Sequence, residues 1–420
     1  MKEGQGSALD PLGPEAPDPH LFERLGPWPA SRKVAVAVSG GADSMCLALL
    51  TSRWGYPIAI IVDHGLRPES ADEAALTAAR LARIGVPSHT TRLQNLAAGT
   101  ALAARARTAR YAALTTAALQ AGCLDLLLAH HRADQAETLL IRRAAHSGPA
   151  GLAGMAPITH SNALRIIRPL LHIPPAYLRA TLRAAGVDWV EDPGNRNPDA
   201  HRTRVRTALA DPDGTGPEIA ALAAEARQFA AARARQDTSV AADLAATAAI
   251  YPEGFAHLRP NLPSAEALAA LIQGLTGRDY KPDRIAVARL AANPAPAVLA
   301  GMRLMRAGRL GPGWLLVRES AAMQASIPAA PGTLWDHRFC ISHQAELPLG
   351  TMIGALGADS AKMRRLSHLP SAVLATLPAL RVNATLVAVP HIGYPDAGTC
   401  ARLPIMFAPA LPAAGAPFGA

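Results

Sequence analysis

The sequence predicts an α/β protein: a parallel, doubly wound sheet first, a helical subdomain after it, and a small α+β domain at the C-terminal end. Three observations predict it. Residues 34–38 read VAVAV, an apolar β-branched run that breaks straight into Ser39-Gly40-Gly41-Ala42-Asp43-Ser44. Strand and helix patterns then alternate as far as about residue 210, the rhythm of a parallel sheet with helices on both faces. Beyond that, an Ala/Arg/Glu-rich stretch of helical spacing gives way to short apolar runs between Gly/Pro turns.

In chain order, residues 1–30 are rich in Pro, Gly and acids and read as a loose acidic tail, with order expected only from Pro19 onward. Strands are expected at 34–38, 57–63, 88–93 and 125–130, and helices at 43–53, 69–84, 101–121 and 132–146. A further strand (166–171) and helix (174–186) complete a domain spanning 31–210. That domain ends in a polar loop, EDPGNRNPD at 191–199, and a basic string, HRTRVR at 201–206. DPDGTGP at 211–217 reads as a linker, 211–299 as a connecting helix with a helical subdomain, 300–410 as the small C-terminal domain and 411–420 as a tail. Open α/β sheets take ligands at the carboxyl ends of their strands. Ser39–Ser44, Asp63-His64-Gly65 and His130-His131 all fall there.

Composition bounds the class. The 420 residues suffice for two or three domains. The first thirty residues carry five acids and no apolar core of a signal peptide, and no run of eighteen apolar residues suggests a membrane span. Cys46, Cys123, Cys340 and Cys400 form no C-x-x-C pair, which argues against a zinc site, an iron–sulfur cluster or a disulfide framework. A soluble cytoplasmic protein is the expectation. The net charge is +9, and residues 31–210 alone hold 21 Lys/Arg against 12 Asp/Glu. The excess is almost all arginine, which suits phosphate and nucleic-acid contacts. An arginine- and alanine-rich proteome would leave the same mark.

The loop at 39–44 is the most informative feature. A strand that breaks into small residues and opens a helix makes a phosphate cradle, with backbone N–H groups aimed at the anion. No Gly-Lys-Ser/Thr follows, so it is not a Walker A loop, and its adjacent glycines do not fit G-x-G-x-x-G. A tight strand–helix turn would use similar residues. The full SGGADS resembles the pyrophosphate loop of the N-type ATP pyrophosphatases. That resemblance assigns Ser39, Gly40, Gly41, Ala42, Asp43 and Ser44 to ATP, with Asp43 holding Mg²⁺.

A second motif is LAHHRADQAETLLIRR at 128–143. His130 ends a strand, and spacings of three and four put Asp134, Glu137 and Thr138 on one helical face. Carboxylates near a helix N-terminus suit a bound cation. Taken alone, Asp134 reads as a helix cap, and His130 also fits a satisfied core histidine.

Seven blocks occur in order: SGGADS, VDHGLRPESADEA (62–74), ARARTARYAAL (104–114), HHRADQAET (130–138), GLAGM (151–155), RPLL (168–171) and WVEDPGNRNPDAHRTRVR (189–206). Together they resemble the bacterial tRNA(Ile)-lysidine synthases over 31–210; the rest resembles them in length and domain order. Two positions depart from the pattern. Ala133 stands where a second acid is common, and Arg202-Thr203 where Arg-Asn is.

The resemblance implies a reaction. ATP adenylates the C2 oxygen of the wobble cytidine in a CAU-anticodon tRNA(Ile), and the ε-amine of free L-lysine then displaces AMP. It implies Asp43 with Mg²⁺ for the first step and Arg110 against developing phosphate charge. Asp134 and Glu137, with His130 nearby, would bind lysine and help deprotonate its amine. Arg202, Arg204 and Arg206 would contact phosphates of ATP or tRNA, and the 300–410 domain would contact tRNA. A solvated helix arginine also fits position 110. A tRNA 2-thiolation enzyme uses the same loop but usually needs C-x-x-C pairs. The sequence does not decide between monomer and homodimer.

Overall fold

The computed structural model describes residues 20–65, 69–93, 102–160, 164–191, 201–278 and 280–409. Residues 1–19 of the expected 1–30 tail, the expected tail at 411–420, most of the 191–199 loop, and residues 66–68 of the second block lie outside these. The described residues fall into two compact units that divide between Arg235 and Gln236.

The first unit is built on β1 (Lys33–Val38), whose residues 34–38 are all buried. Burial on both faces is what a continuous apolar run requires, and it is met inside a parallel sheet. The alternation of the strand divides its side chains. Val34, Val36 and Val38 join one core, while Ala35 and Ala37 join the core on the opposite face. Each valine so buried contributes about 1.5–3 kcal/mol.

α1 (Ala42–Trp54) follows, then β2 (Tyr56–Asp63), α2 (Ser70–Arg83), β3 (Ser88–Arg92), α3 (Leu102–Gln120) and β4 (Asp125–Leu127). α4 (Arg132–Ala144), α5 (Pro149–Leu152), β5 (Ile158–His160), β6 (Arg165–Ile167) and α6 (Pro175–Ala184) complete the layer structure. The valine-side core takes Met45 and Leu49 of α1 with Leu178 and Leu182 of α6. The alanine-side core takes Leu114, Ala117 and Ala118 of α3.

The strand order is β3-β2-β1-β4-β6-β5. The chain therefore winds outward from β1 to β3, returns, and continues from β4 on the other side. The β1–β4 boundary is the switch point, where the loops after the two strands part and leave a crevice. Five strands are parallel, and β5 pairs antiparallel to β6 at the edge, a strand the sequence pattern did not announce. Expected strands 125–130 and 166–171 are shorter. β4 stops at Leu127 because His131 already caps α4, and β6 stops before Pro169.

The tail is not loose throughout. Phe22 is buried and stacks on Trp54 at 4.9 Å, and Trp28 meets Trp54 edge-on at 4.7 Å. The Trp28 indole N–H donates to the Phe22 carbonyl at 2.7 Å.

α7 (His201–Leu209) and α8 (Pro217–Thr247) follow, and the division between units falls inside α8. The second unit corrects the expected helical subdomain at 211–299. It contains β7 (Ala248–Tyr251), β8 (Phe255–Leu258), α9 (Ala265–Thr276), α10 (Arg284–Ala292), β9 (Ala297–Leu299), β10 (Met302–Arg306) and β11 (Trp314–Arg318). These strands form one antiparallel sheet, β7-β8-β11-β10-β9, so the sheet crosses the expected boundary at 299/300. Two smaller antiparallel sheets follow, of four and three strands. Among the described residues no helix is long and apolar enough to cross a membrane.

Candidate active site

A cavity of about 460 Å³ opens at the switch point, lined by residues that include Ser39, Gly41, Asp43, Ser44, Arg110, His130, His131, Asp134 and Arg206. Its first wall is the loop after β1. Gly40 has φ +87°, and a Cβ there would lie 2.4 Å from the Thr77 hydroxyl, so the turn accepts only glycine. Gly41 caps α1 with no side chain, leaving the first N–H groups of that helix without a capping side chain. Such an end favours an anion. The Ser44 hydroxyl ties the turn, accepting from the Ser39 N–H at 3.2 Å and donating to the Gly41 carbonyl at 3.0 Å.

The second wall is the start of α4. The Asp134 carboxylate accepts from the His131 backbone N–H at 3.0 Å, so it is a helix cap and a cavity group at once. The His131 ring stands between two acids, its Nε2 3.5 Å from Asp43 Oδ2 and 3.6 Å from Asp134 Oδ2. Burial pushes the ring toward neutrality, but Asp134 and Asp43 outweigh it and raise its pKa. Burial likewise opposes ionisation of Asp134, yet His131, His130 and the backbone bond hold its pKa below the usual carboxylate value. His130 goes the other way. Burial drives it down to about 4, against the pull of Asp134.

The expected lysine pair divides. Asp134 lines the cavity. Glu137 is fully buried, and both its oxygens accept from Arg206, at 2.7 Å from Nε and 3.3 Å from Nη2. It is Arg206 that reaches the cavity, 3.8 Å from Asp134 Oδ1. Arg202 donates to the Thr138 hydroxyl at 3.4 Å, and Arg204 does not line the cavity. The three expected phosphate contacts are thus unlike, and Arg206 is engaged by acids.

Arg110 lies on α3 in the third wall, and no ion pair engages it among the described residues. Burial, more than its neighbours, depresses its pKa. Arg107 lies over the Tyr111 ring at 5.1 Å beside it. Arg107 and Tyr111 were not singled out by motif reasoning, and His131 was placed at the ligand end of the sheet without a role of its own. For His131, the signal was available in the doubled histidine three residues before an acid. GLAGM serves the site indirectly: the Gln135 side chain clasps the Met155 backbone at 2.7 and 2.9 Å, anchoring α4.

Among the described residues no three His, Cys, Asp or Glu side chains are grouped to hold a metal by themselves. A single carboxylate beside a phosphate cradle is the usual provision for Mg²⁺ that arrives on a nucleotide, and Asp43 fits it.

Fold and site define a nucleotide-binding domain of the PP-loop class, and the PP-loop domain family matches residues 19–212. A tRNA(Ile)-lysidine synthase of Ruegeria pomeroyi is 35% identical over 90% of this chain and 93% of its own length. Another, of Methylobacterium sp. strain 4-46, is 39% identical over 72% of this chain and 92% of its own. The chain belongs to the tRNA(Ile)-lysidine synthase family, whose members are ATP-using ligases. A solved structure of a U34-tRNA thiolase from Methanococcus maripaludis overlaps 50% of this chain and 76% of its own, with a TM-score of 0.41 and 16% identity.

Proposed function

We propose that this cavity joins free L-lysine to C2 of the wobble cytidine of a CAU-anticodon tRNA(Ile). The observation that carries the reading is the meeting of an anion cradle and a cation-binding acid, Asp43 and Asp134, across one switch-point crevice. In the first step the cytosine C2 oxygen attacks the α-phosphorus of ATP, and pyrophosphate leaves. The loop Ser39–Ser44 receives the pyrophosphate, and Arg110 faces charge developing on the α-phosphate. Mg²⁺ held by Asp43 would neutralise phosphate charge when bound.

In the second step the lysine ε-amine forms the C–N bond at C2 as AMP leaves with the C2 oxygen. Asp134 receives the ammonium group. His130, held neutral by burial, takes the proton that the attacking amine loses. Glu137 acts through Arg206, fixing its guanidinium at the cavity rim. The target base must leave its stack to enter.

Pyrophosphate release with ATP, tRNA(Ile) and lysine supplied in turn tests this. Lysine-dependent turnover and a mass gain on the tRNA are expected. Turnover that needs a sulfur donor in place of lysine would overturn the reading in favour of thiolation.

A further inference from the structure

We infer that His131 is a positioning residue that couples the ATP half of the site to the amine half. This rests on the reading that Asp43 serves ATP and Asp134 serves lysine. The two acids come from different elements. Asp43 lies in the first turn of α1, after β1, and Asp134 in the first turn of α4, after β4. β1 and β4 are paired, Ala35 beside Leu126 and Val36 beside Leu127, but the loops that follow them part at the switch point. The His131 ring spans that gap, with one nitrogen 3.5 Å from Asp43 and 3.6 Å from Asp134.

The ring is set for this. His131 is the N-cap of α4 with extended backbone (φ −126°, ψ −176°), which directs its side chain off the helix start. It is 8% exposed, so its contacts act away from bulk water. Its other ring nitrogen, Nδ1, is buried and has no hydrogen-bond partner among the described residues. The charged contacts of the ring are those of Nε2 with the two acids. A shift of either loop is transmitted to the other through this ring. Neighbouring His130 lines the cavity but makes no such bridge.

Two variants isolate the contact. His131→Gln keeps a donor near the Nε2 position, and His131→Phe keeps the ring volume without it. Affinity for a non-hydrolysable ATP analogue is measured by calorimetry, and KM for lysine in turnover. His131→Phe is expected to weaken nucleotide binding and raise the lysine KM, each by about tenfold or more, the scale of losing a charged contact held away from bulk water. His131→Gln is expected to restore both to within about threefold. Weakening of one ligand alone, of neither, or no restoration by Gln overturns the coupling. If His131→Phe does not fold, the Gln variant decides: keeping both affinities supports the coupling, and losing either overturns it. Failure of the underlying reading shows separately, as wild-type turnover that ignores lysine.

Discussion

His130 and His131 are neighbours in sequence with opposite chemistry. Burial holds the first neutral, down to about 4, while two carboxylates raise the second. No pattern of residue types foretells this, because it depends on which ring the turn after β4 aims at Asp43. The spacing of Asp134 and Glu137 was legible, and so was their shared helix face. Their separation into a cavity acid and a buried acid was not, since it is set by Arg206 some seventy residues on. Asp43→Ala is expected to abolish adenylation while tRNA still binds, because charge compensation at phosphate supplies several kcal/mol. ATP–pyrophosphate exchange measured beside tRNA affinity checks this, and normal exchange would remove Asp43 from the role. Asp134→Asn should raise the lysine KM by roughly tenfold or more, the cost of about 1.5–3 kcal/mol for a charged hydrogen bond. Glu137→Gln should act differently. It frees Arg206, so the rate should fall more than lysine affinity. Steady-state kinetics in lysine separates the two, and an equal KM effect would return Glu137 to the lysine pocket.

At the scale of elements, the strands and helices of the first unit were readable because each buries a strongly patterned face. β1 is the clearest case, with five consecutive buried residues. β5 was not readable: its three residues are half-buried or exposed, and it exists only because β6 offers an edge. The strands at 248–258 were hidden behind the alanine-rich helix before them, and β8 finds its second partner some sixty residues on in β11. α7 shows what a basic string can become. Arg206 turns inward to Glu137 and Arg202 toward Thr138, both on α4. The triple change to alanine at 202, 204 and 206 should therefore lose fewer phosphate contacts than three. A drop of the log–log salt slope for tRNA binding by about 0.7–0.9 per contact, and less than three contacts in all, is expected. A filter-binding series from low to moderate salt measures it, and a loss of three full contacts would mean that Arg206 leaves Glu137 when tRNA arrives.

Across the whole molecule, the two units meet acid differently. In the first, His130 and His131 are shifted in opposite directions. His130 is lowered, so its contribution is present above its unfolded pKa and fades as pH falls toward 4. His131 is raised, so its contribution is present at low pH and fades as pH rises through its folded pKa. The two slopes oppose each other. In the second unit His391, packed edge-on against Phe339 at 5.3 Å, is driven to about 4 chiefly by burial. The buried Asp336, gripped by Arg318 at 3.1 Å and Arg338 at 2.7 Å, is held below the usual carboxylate range and resists protonation until lower pH still. Between about pH 6.5 and 4 the unfolded chain therefore takes up a proton at His391 that the folded unit refuses. Stability should fall through that window by at most about 1.4 kcal/mol per pH unit, at most about 3.5 kcal/mol in all. His391→Phe keeps the aromatic contact and removes the titration. Denaturant unfolding at several pH values, read through Trp314 and Trp335, should show a slope flatter by one proton in the variant. An unchanged slope would mean that His391 takes up its proton without unfolding, and that its contact with Phe339 opens to water.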